Sequence, residues 1–129
     1  TLFRSAQRLV ARPPEMSLLA VSVQLYATVE IVDRIPAGAF YPAPKVDSAV
    51  VRLRRHAQPI VPPGEIERFF AAARAGFGQG RKQLRNALAA GLGRPAAEMA
   101  AALTAAGIDP RRRAETLTLD EWARLARTL

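Results

Sequence analysis

Apolar residues recur at a helical interval through the second half of the chain. In "EIERFFAAARAGF", Ile66, Phe69, Phe70, Ala73 and Phe77 fall at i, i+3, i+4, i+7 and i+11, one stripe of an amphipathic helix. "RKQLRNALAAGL" continues with Leu84, Leu88 and Leu92, and "PAAEMAAALTAAG" adds an Ala-rich segment ending at Gly107, a helix C-cap signal. "IDPRRRAE" starts a short turn, with Asp109 as N-cap and Pro110 at the first helical position. "TLDEWARLARTL" opens with Thr118 and Glu121 in capping-box spacing, and Trp122, Leu125 and Leu129 form its apolar stripe. The pattern predicts a small bundle of four or five helices.

Upstream the texture changes. "TVEIVDRI" alternates, with Val29, Ile31 and Ile35 on one face, and "SAVVRLR" does so with Ala49, Val51 and Leu53. These read as two antiparallel strands joined by the loop "PAGAFYPAPKVD". "QRLVARP" reads as the end of a helix broken at Pro13. "SLLAVSVQLYA" fits either period: Val21, Val23 and Leu25 alternate, while Leu18, Leu19 and Tyr26 make a helical stripe. Two strands alone form a marginal sheet, so the pattern predicts the edge of a larger one. "QPIVPPGE", with three prolines and a glycine, separates the two textures. The expected division is residues 1–57, a linker at 58–64, and a helical domain at 65–129. The fold class is an α+β fragment.

Charge narrows the partners. The net charge is +8, the isoelectric point is about 11.4, and 17 of the 19 basic residues are arginine. Residues 1–62 carry 8 basic and 4 acidic groups and residues 63–129 carry 11 and 7, so each part is +4. Arginine's planar fork matches phosphate oxygens and stacks on bases, which favours a polyanionic partner over a merely solvated surface. With no cysteine, disulfides and thiolate metal sites are excluded, as suits a reducing cytosol. His56 follows Arg54 and Arg55, where a cation is repelled, so no metal is expected. No window reaches the ~20 apolar residues of a membrane span, and no leader pattern is present. A cytoplasmic monomer is the expectation.

"GFGQGRKQLRN" poses a choice. Alternate glycines suggest a nucleotide loop, but such a loop follows a buried strand, and Gly76, Gly78 and Gly80 follow a helical pattern. Nor is Gly80-Arg81-Lys82-Gln83 the Gly-Lys-Ser/Thr of a phosphate loop. The glycines are expected to form a break between two helices. If the second helix starts near Gly80, Arg81 and Lys82 fall in its first turn, where the macrodipole disfavours cations. Lys82, Arg85 and Asn86 share a face away from the leucines, either contacting phosphate or simply solvated.

"AFYPAPKVDSAVVRL" presents Phe40 and Tyr41 before a proline-stiffened loop and Lys45 at its end. An aromatic there is either a core anchor or a platform for an extruded base.

This string, F-x-P-x-P-K-V-D-S-A-V-V, resembles the signature of the ribosomal RNA adenine dimethyltransferases, a family that includes the erythromycin-resistance methylases. "RLVARP" looks like the helix after that family's catalytic strand. "FGQGRKQLRNAL" is similar to its basic helix, usually Phe-x-Gln-Arg-Arg-Lys-x-Leu-Arg-Asn, with Gly80 in place of one arginine and Gln83 in place of a usual Thr. "GIDPRRRAETLTLDEWARLA" resembles the end of the housekeeping branch.

The resemblance implies the last part of a class I, Rossmann-like methyltransferase sheet followed by a helical rRNA-binding domain. The parent would use S-adenosylmethionine to dimethylate two adjacent adenines near the 3′ end of small-subunit rRNA, with that rRNA or a precursor particle as partner. Phe40 takes the position of an aromatic that stacks on the target adenine. Lys45, Gln79, Arg81, Lys82, Arg85, Asn86 and Arg113 take RNA-contacting positions, although Arg113 and Glu115 could equally form an intradomain ion pair. The donor-binding turn and the adenine-orienting Asn-x-Pro-Tyr/Phe motif are absent. This chain alone is therefore expected to bind no cofactor and to be inactive. The alternatives are a non-catalytic nucleic-acid-binding module and a ribosome-associated structural protein.

Overall fold

The computed structural model describes residues 3–39 and 47–129, apart from the side chains of Phe3 and Arg4. In chain order it contains α1 (Phe3–Leu9), α2 (Leu18–Gln24), β1 (Ala27–Ile35), β2 (Ser48–Arg55), α3 (Ile66–Gly78), α4 (Leu84–Leu92), α5 (Ala96–Ala105) and α6 (Leu119–Thr128). Short 3-10 turns lie at Ala37–Ala39, Pro63–Glu65 and Ala114–Thr116.

The ambiguous "SLLAVSVQ" is helical. Ser17 caps it, its hydroxyl accepting the Ala20 N–H at 3.1 Å, which satisfies one of the first-turn amides left unpaired by helix geometry. Val21 and Leu25, which alternation would have placed on a strand face, are i and i+4 and both fully buried. Helix α1 ends at Leu9, short of Pro13. The Gln24 amide donates to the Leu9 and Ala11 carbonyls at 2.8 and 3.0 Å, satisfying backbone acceptors there.

The strands pair antiparallel, with Val29 opposite Leu53 and Ile31 opposite Val51. A bulge then inserts Val32, so Asp33 faces Val50 and Arg34 faces Ala49. The extra residue reverses the side-chain alternation beyond it. Ile35, opposite Ser48, consequently points away from the face of Val29 and Ile31, which corrects the uninterrupted stripe read from the sequence. Ala27, Val29 and Ala49 are buried, whereas Val32, Val50 and Leu53 remain exposed.

One core runs from α2 into the bundle. Met16, Ala20, Val21 and Leu25 join Val61, Phe69, Leu84, Leu88, Met99, Leu103, Leu117, Trp122 and Leu125. Val61 lies in the proline-rich segment, which is strapped down by the Ile60 N–H donating to the Leu25 carbonyl at 3.1 Å. Burying each large side chain contributes about 1.5–3 kcal/mol. Below Pro63 the described bundle has four α-helices. The "TLDE" signal is realised in full: Thr118 accepts the Glu121 N–H and Glu121 accepts the Thr118 N–H. Gly107 follows α5 with φ of 77°, a left-handed conformation that stops the helix and costs a Cβ-free residue little.

Candidate nucleic-acid interface

The glycine-basic segment resolves into three parts. Gly76 and Gly78 lie inside α3, and only Gly80 sits in the turn before α4. Gly76 is therefore not an interhelix break: a Cβ there would stand 2.5 Å from the Trp122 ring, so its smallness lets α3 and α6 pack closely. Arg81 and Lys82 precede α4, which starts at Leu84 rather than near Gly80. Gln79 and Lys82 close the turn, the Lys82 N–H donating to the Gln79 carbonyl at 2.9 Å. Lys82 thus does not share a helical face with Arg85 and Asn86. Of the predicted cations only Arg85 occupies the first helical turn.

That turn has its amides engaged. The Leu84 N–H donates to the Arg112 carbonyl at 2.7 Å and the Arg85 N–H to the Pro110 carbonyl at 3.4 Å. The amides of Asn86 and Ala87 both donate to the Gln83 carbonyl at 3.0 Å. Carbonyl oxygens from the 110–112 loop therefore meet the positive end of α4. Their partial negative charge offsets the penalty of placing Arg85 there.

The same bonds hold segment 81–86 beside segment 110–113. Gln79, Arg81, Lys82, Arg85, Asn86 and Arg113 are all exposed. Among the described residues, none of the side chains of Arg81, Lys82, Arg85 and Arg113 enters an ion pair. Arg113 and Glu115 do not pair; the Arg113 carbonyl accepts the Thr116 N–H and hydroxyl, and the Glu115 carbonyl accepts the Met16 N–H at 3.0 Å. Two neighbouring arginines are neutralised. Arg111 bonds Asp109, whose carboxyl is held down to about 2 by hydrogen bonds from the Arg111 guanidinium and amide. Asp109 caps only this tight turn, because no α-helix begins at Pro110. Arg112 bonds Glu121 on α6, and this partnership lowers the carboxyl pKa of Glu121. The cross-link joins residues nine apart through a 3-10 turn, a separation that no periodic pattern announces.

Phe40 and Lys45 lie outside the described residues. The stems of their loop do not. Asp47 accepts the Ala37 N–H at 3.0 Å and the Arg34 Nε–H at 2.9 Å, joining the end of β1 to the start of β2. The amide of Ala37 and then the guanidinium of Arg34 lower the Asp47 pKa.

A family model described as "Ribosomal RNA adenine dimethylase" matches residues 4–129. The chain is 47% identical over 120 residues to "Ribosomal RNA small subunit methyltransferase A" of Dehalococcoides mccartyi strain CBDB1, covering 93% of this chain and 41% of the relative. It is 43% identical over 124 residues to the protein of that name from Moorella thermoacetica, covering 95% and 43%. The chain thus spans less than half the length of these relatives. Among solved structures it is similar to the 23S rRNA methyltransferase ErmE, with 28% identity, a TM-score of 0.72, and coverage of 100% of this chain and 52% of that one. A dimethyladenosine transferase from Plasmodium falciparum superposes with a TM-score of 0.76 at 18% identity, over 96% of this chain and 53% of its own. The two strands and their flanking helices are part of a Rossmann-like fold of this kind.

Proposed function

The chain belongs to the ribosomal RNA adenine dimethylase family, and on that premise we propose that it is the rRNA-gripping portion of an enzyme that dimethylates two adjacent adenines near the 3′ end of small-subunit rRNA. In this reading residues 1–57 complete the catalytic sheet, 58–64 link, and 65–129 hold RNA. Arg81, Lys82, Arg85 and Arg113 neutralise phosphates, and Gln79, Asn86 and Lys45 supply further RNA contacts. Phe40 stacks on the adenine taken out of its helix.

S-adenosylmethionine is the methyl donor of the parent enzyme, and the described residues of this chain do not fit it. A donor loop needs a glycine-rich turn at the end of a buried strand, whereas Gly76 and Gly78 are helical and Gly80 joins two helices. Donor binding belongs to the part of the protein outside this chain. What this chain's own residues do is bind and orient: fixed cations set the register of the polynucleotide, and base stacking holds the acceptor ring.

The observation that carries the reading is the set of unpaired, exposed cations drawn together by the hydrogen bonds between α4 and the 110–112 loop. The test compares the full-length protein with its Arg81→Ala/Lys82→Ala/Arg85→Ala variant. Binding to small-subunit rRNA is measured across a salt series, and transfer of labelled methyl from S-adenosylmethionine to adenine is followed in parallel. The variant is expected to lower the log–log salt slope by about 2–3 units, one near-unit loss per phosphate contact. An unchanged slope assigns these residues to the solvated surface. Absence of N6,N6-dimethyladenosine from the unaltered full-length reaction removes the enzymatic assignment.

A further inference from the structure

Arg112 spends its donors inside the protein. Its Nε–H reaches Thr116 Oγ1 at 3.2 Å, and its Nη2 reaches the Thr116 carbonyl at 2.6 Å and Glu121 Oε1 at 3.0 Å. Its Nη1 bonds Glu121 Oε2. Glu121 is the better buried partner, its side chain 14% exposed against 32% for Arg112. Glu121 Oε1 accepts the Thr118 N–H at 2.9 Å as well, so the carboxylate serves both the cap of α6 and the guanidinium. On its backbone side, Arg112 offers its carbonyl to the first amide of α4. One residue therefore ties together α6, the 3-10 turn and the start of α4.

A guanidinium has five N–H donors in a rigid fork. Turning this one toward a phosphate would strip Glu121 of its partner in a half-enclosed setting, and an unpaired charge there is costly. Arg113 and Arg85 carry no such commitment. Their relative placement depends on how the intervening backbone is held, and the hydrogen bonds made by Arg112 hold it.

We propose that Arg112 and Glu121 are positioning residues for the polynucleotide surface, fixing the 110–113 loop against α4 so that Arg113 and Arg85 meet successive phosphates, while Arg112 itself touches none. This rests on the rRNA-binding reading above and deepens it by dividing adjacent arginines into a contact and a brace. It makes a prediction whose sign opposes simple electrostatics. Replacing Glu121 by glutamine raises the net charge from +8 by one unit, to +9. By charge alone that strengthens binding to a polyanion. Loss of the brace weakens it.

The experiment uses the full-length protein and small-subunit rRNA over a KCl series, at a temperature well below the thermal midpoint of every variant. Glu121→Gln is expected to weaken binding by about 3–10-fold, the scale of one or two misplaced hydrogen bonds, with a salt slope lowered by less than one full phosphate contact, because Arg113 and Arg85 are displaced rather than removed. Arg113→Ala is expected to lower the slope by about 0.7–0.9. Arg112→Lys keeps the net charge but cannot bridge Thr116 and Glu121 with one fork. It should show the same weakening, and in the methylation assay should raise KM for the small-subunit substrate about 3–10-fold without lowering kcat. A residue serving stability alone would move neither quantity at that temperature. Tighter binding by Glu121→Gln, a slope loss in Arg112→Lys equal to that of Arg113→Ala, or unaltered affinity in Arg112→Lys each overturns the proposal. If the unaltered protein shows no salt-dependent rRNA binding, the function reading falls together with it, a result distinct from the other three.

Discussion

Gly76 on α3 lies against the indole of Trp122 on α6 so closely that a Cβ at this position would stand 2.5 Å from Cη2 and 3.1 Å from the Leu84 side chain. Phe77 flanks the same indole, with ring centroids 5.4 Å apart. The first glycine of the GFGQG string is therefore a packing residue, and the junction of α3, α4 and α6 is built around it. Gly76→Ala in the full-length protein is expected to destabilise by about 1–3 kcal/mol, because interiors near crystal density absorb an added methyl only by strain. A chemical-denaturation midpoint equal to that of the unaltered protein would show that the indole moves aside freely.

Gln83 stands at the N-cap of α4 with backbone angles of −60° and 147° and makes no capping hydrogen bond from its side chain. Its Oε1 is buried without a hydrogen-bond partner among the described residues. Gln83→Thr removes the unsatisfied oxygen and places a short hydroxyl where it can share the Asn86 amide, which already donates to the residue-83 carbonyl. A gain of about 1 kcal/mol is expected, read as a higher denaturation midpoint; a loss would mean that the glutamine amide has packing value the cap does not replace.

The loop whose stems Asp47 joins carries Phe40, the proposed stacking residue. Phe40→Ala in the full-length protein should lower methyl transfer much more than rRNA affinity, since stacking on one extruded base is worth about 1–3 kcal/mol and the proposed phosphate contacts involve other residues. Parallel losses in kcat and in affinity would count against the stacking role.

Acid should loosen the fold. Glu121, through its bond to Arg112, has a folded-state pKa below its ordinary value. The same holds for Asp47, through the Ala37 amide and Arg34. A depressed carboxyl pKa means that the unfolded chain binds protons more readily. The associated stability is thus complete above the ordinary carboxylate range and is lost as pH falls through the folded-state values. Asp109, held at about 2 by Arg111, follows the same sign. Thermal midpoints should be level near neutrality and decline below about pH 4.5, less steeply for Glu121→Gln. Equal declines in the two proteins would show that Glu121 does not contribute.

Much of the local architecture could be read directly from residue order. The stripe from Ile66 to Phe77, the Thr118–Glu121 capping box and the stop at Gly107 are local, each set by residues within a turn or two, so a one-dimensional pattern suffices to declare them. The family signature around Phe40 was likewise legible as a string. Long-range choices were not. Val21 and Leu25 suit a strand or a helix equally well, and only burial against the bundle core selects the helix. The bulge at Val32 reverses the face of Ile35 because pairing with β2 tolerates an extra residue that alternation alone cannot foresee. Above all, three consecutive arginines have identical chemistry in sequence. Arg111 folds onto Asp109, Arg112 onto Glu121, and Arg113 remains available, because the partners are fixed by how the 110–112 loop packs between α4 and α6. Side-chain type determined that this chain would carry an excess of cations; tertiary packing decided which of them are free to bind.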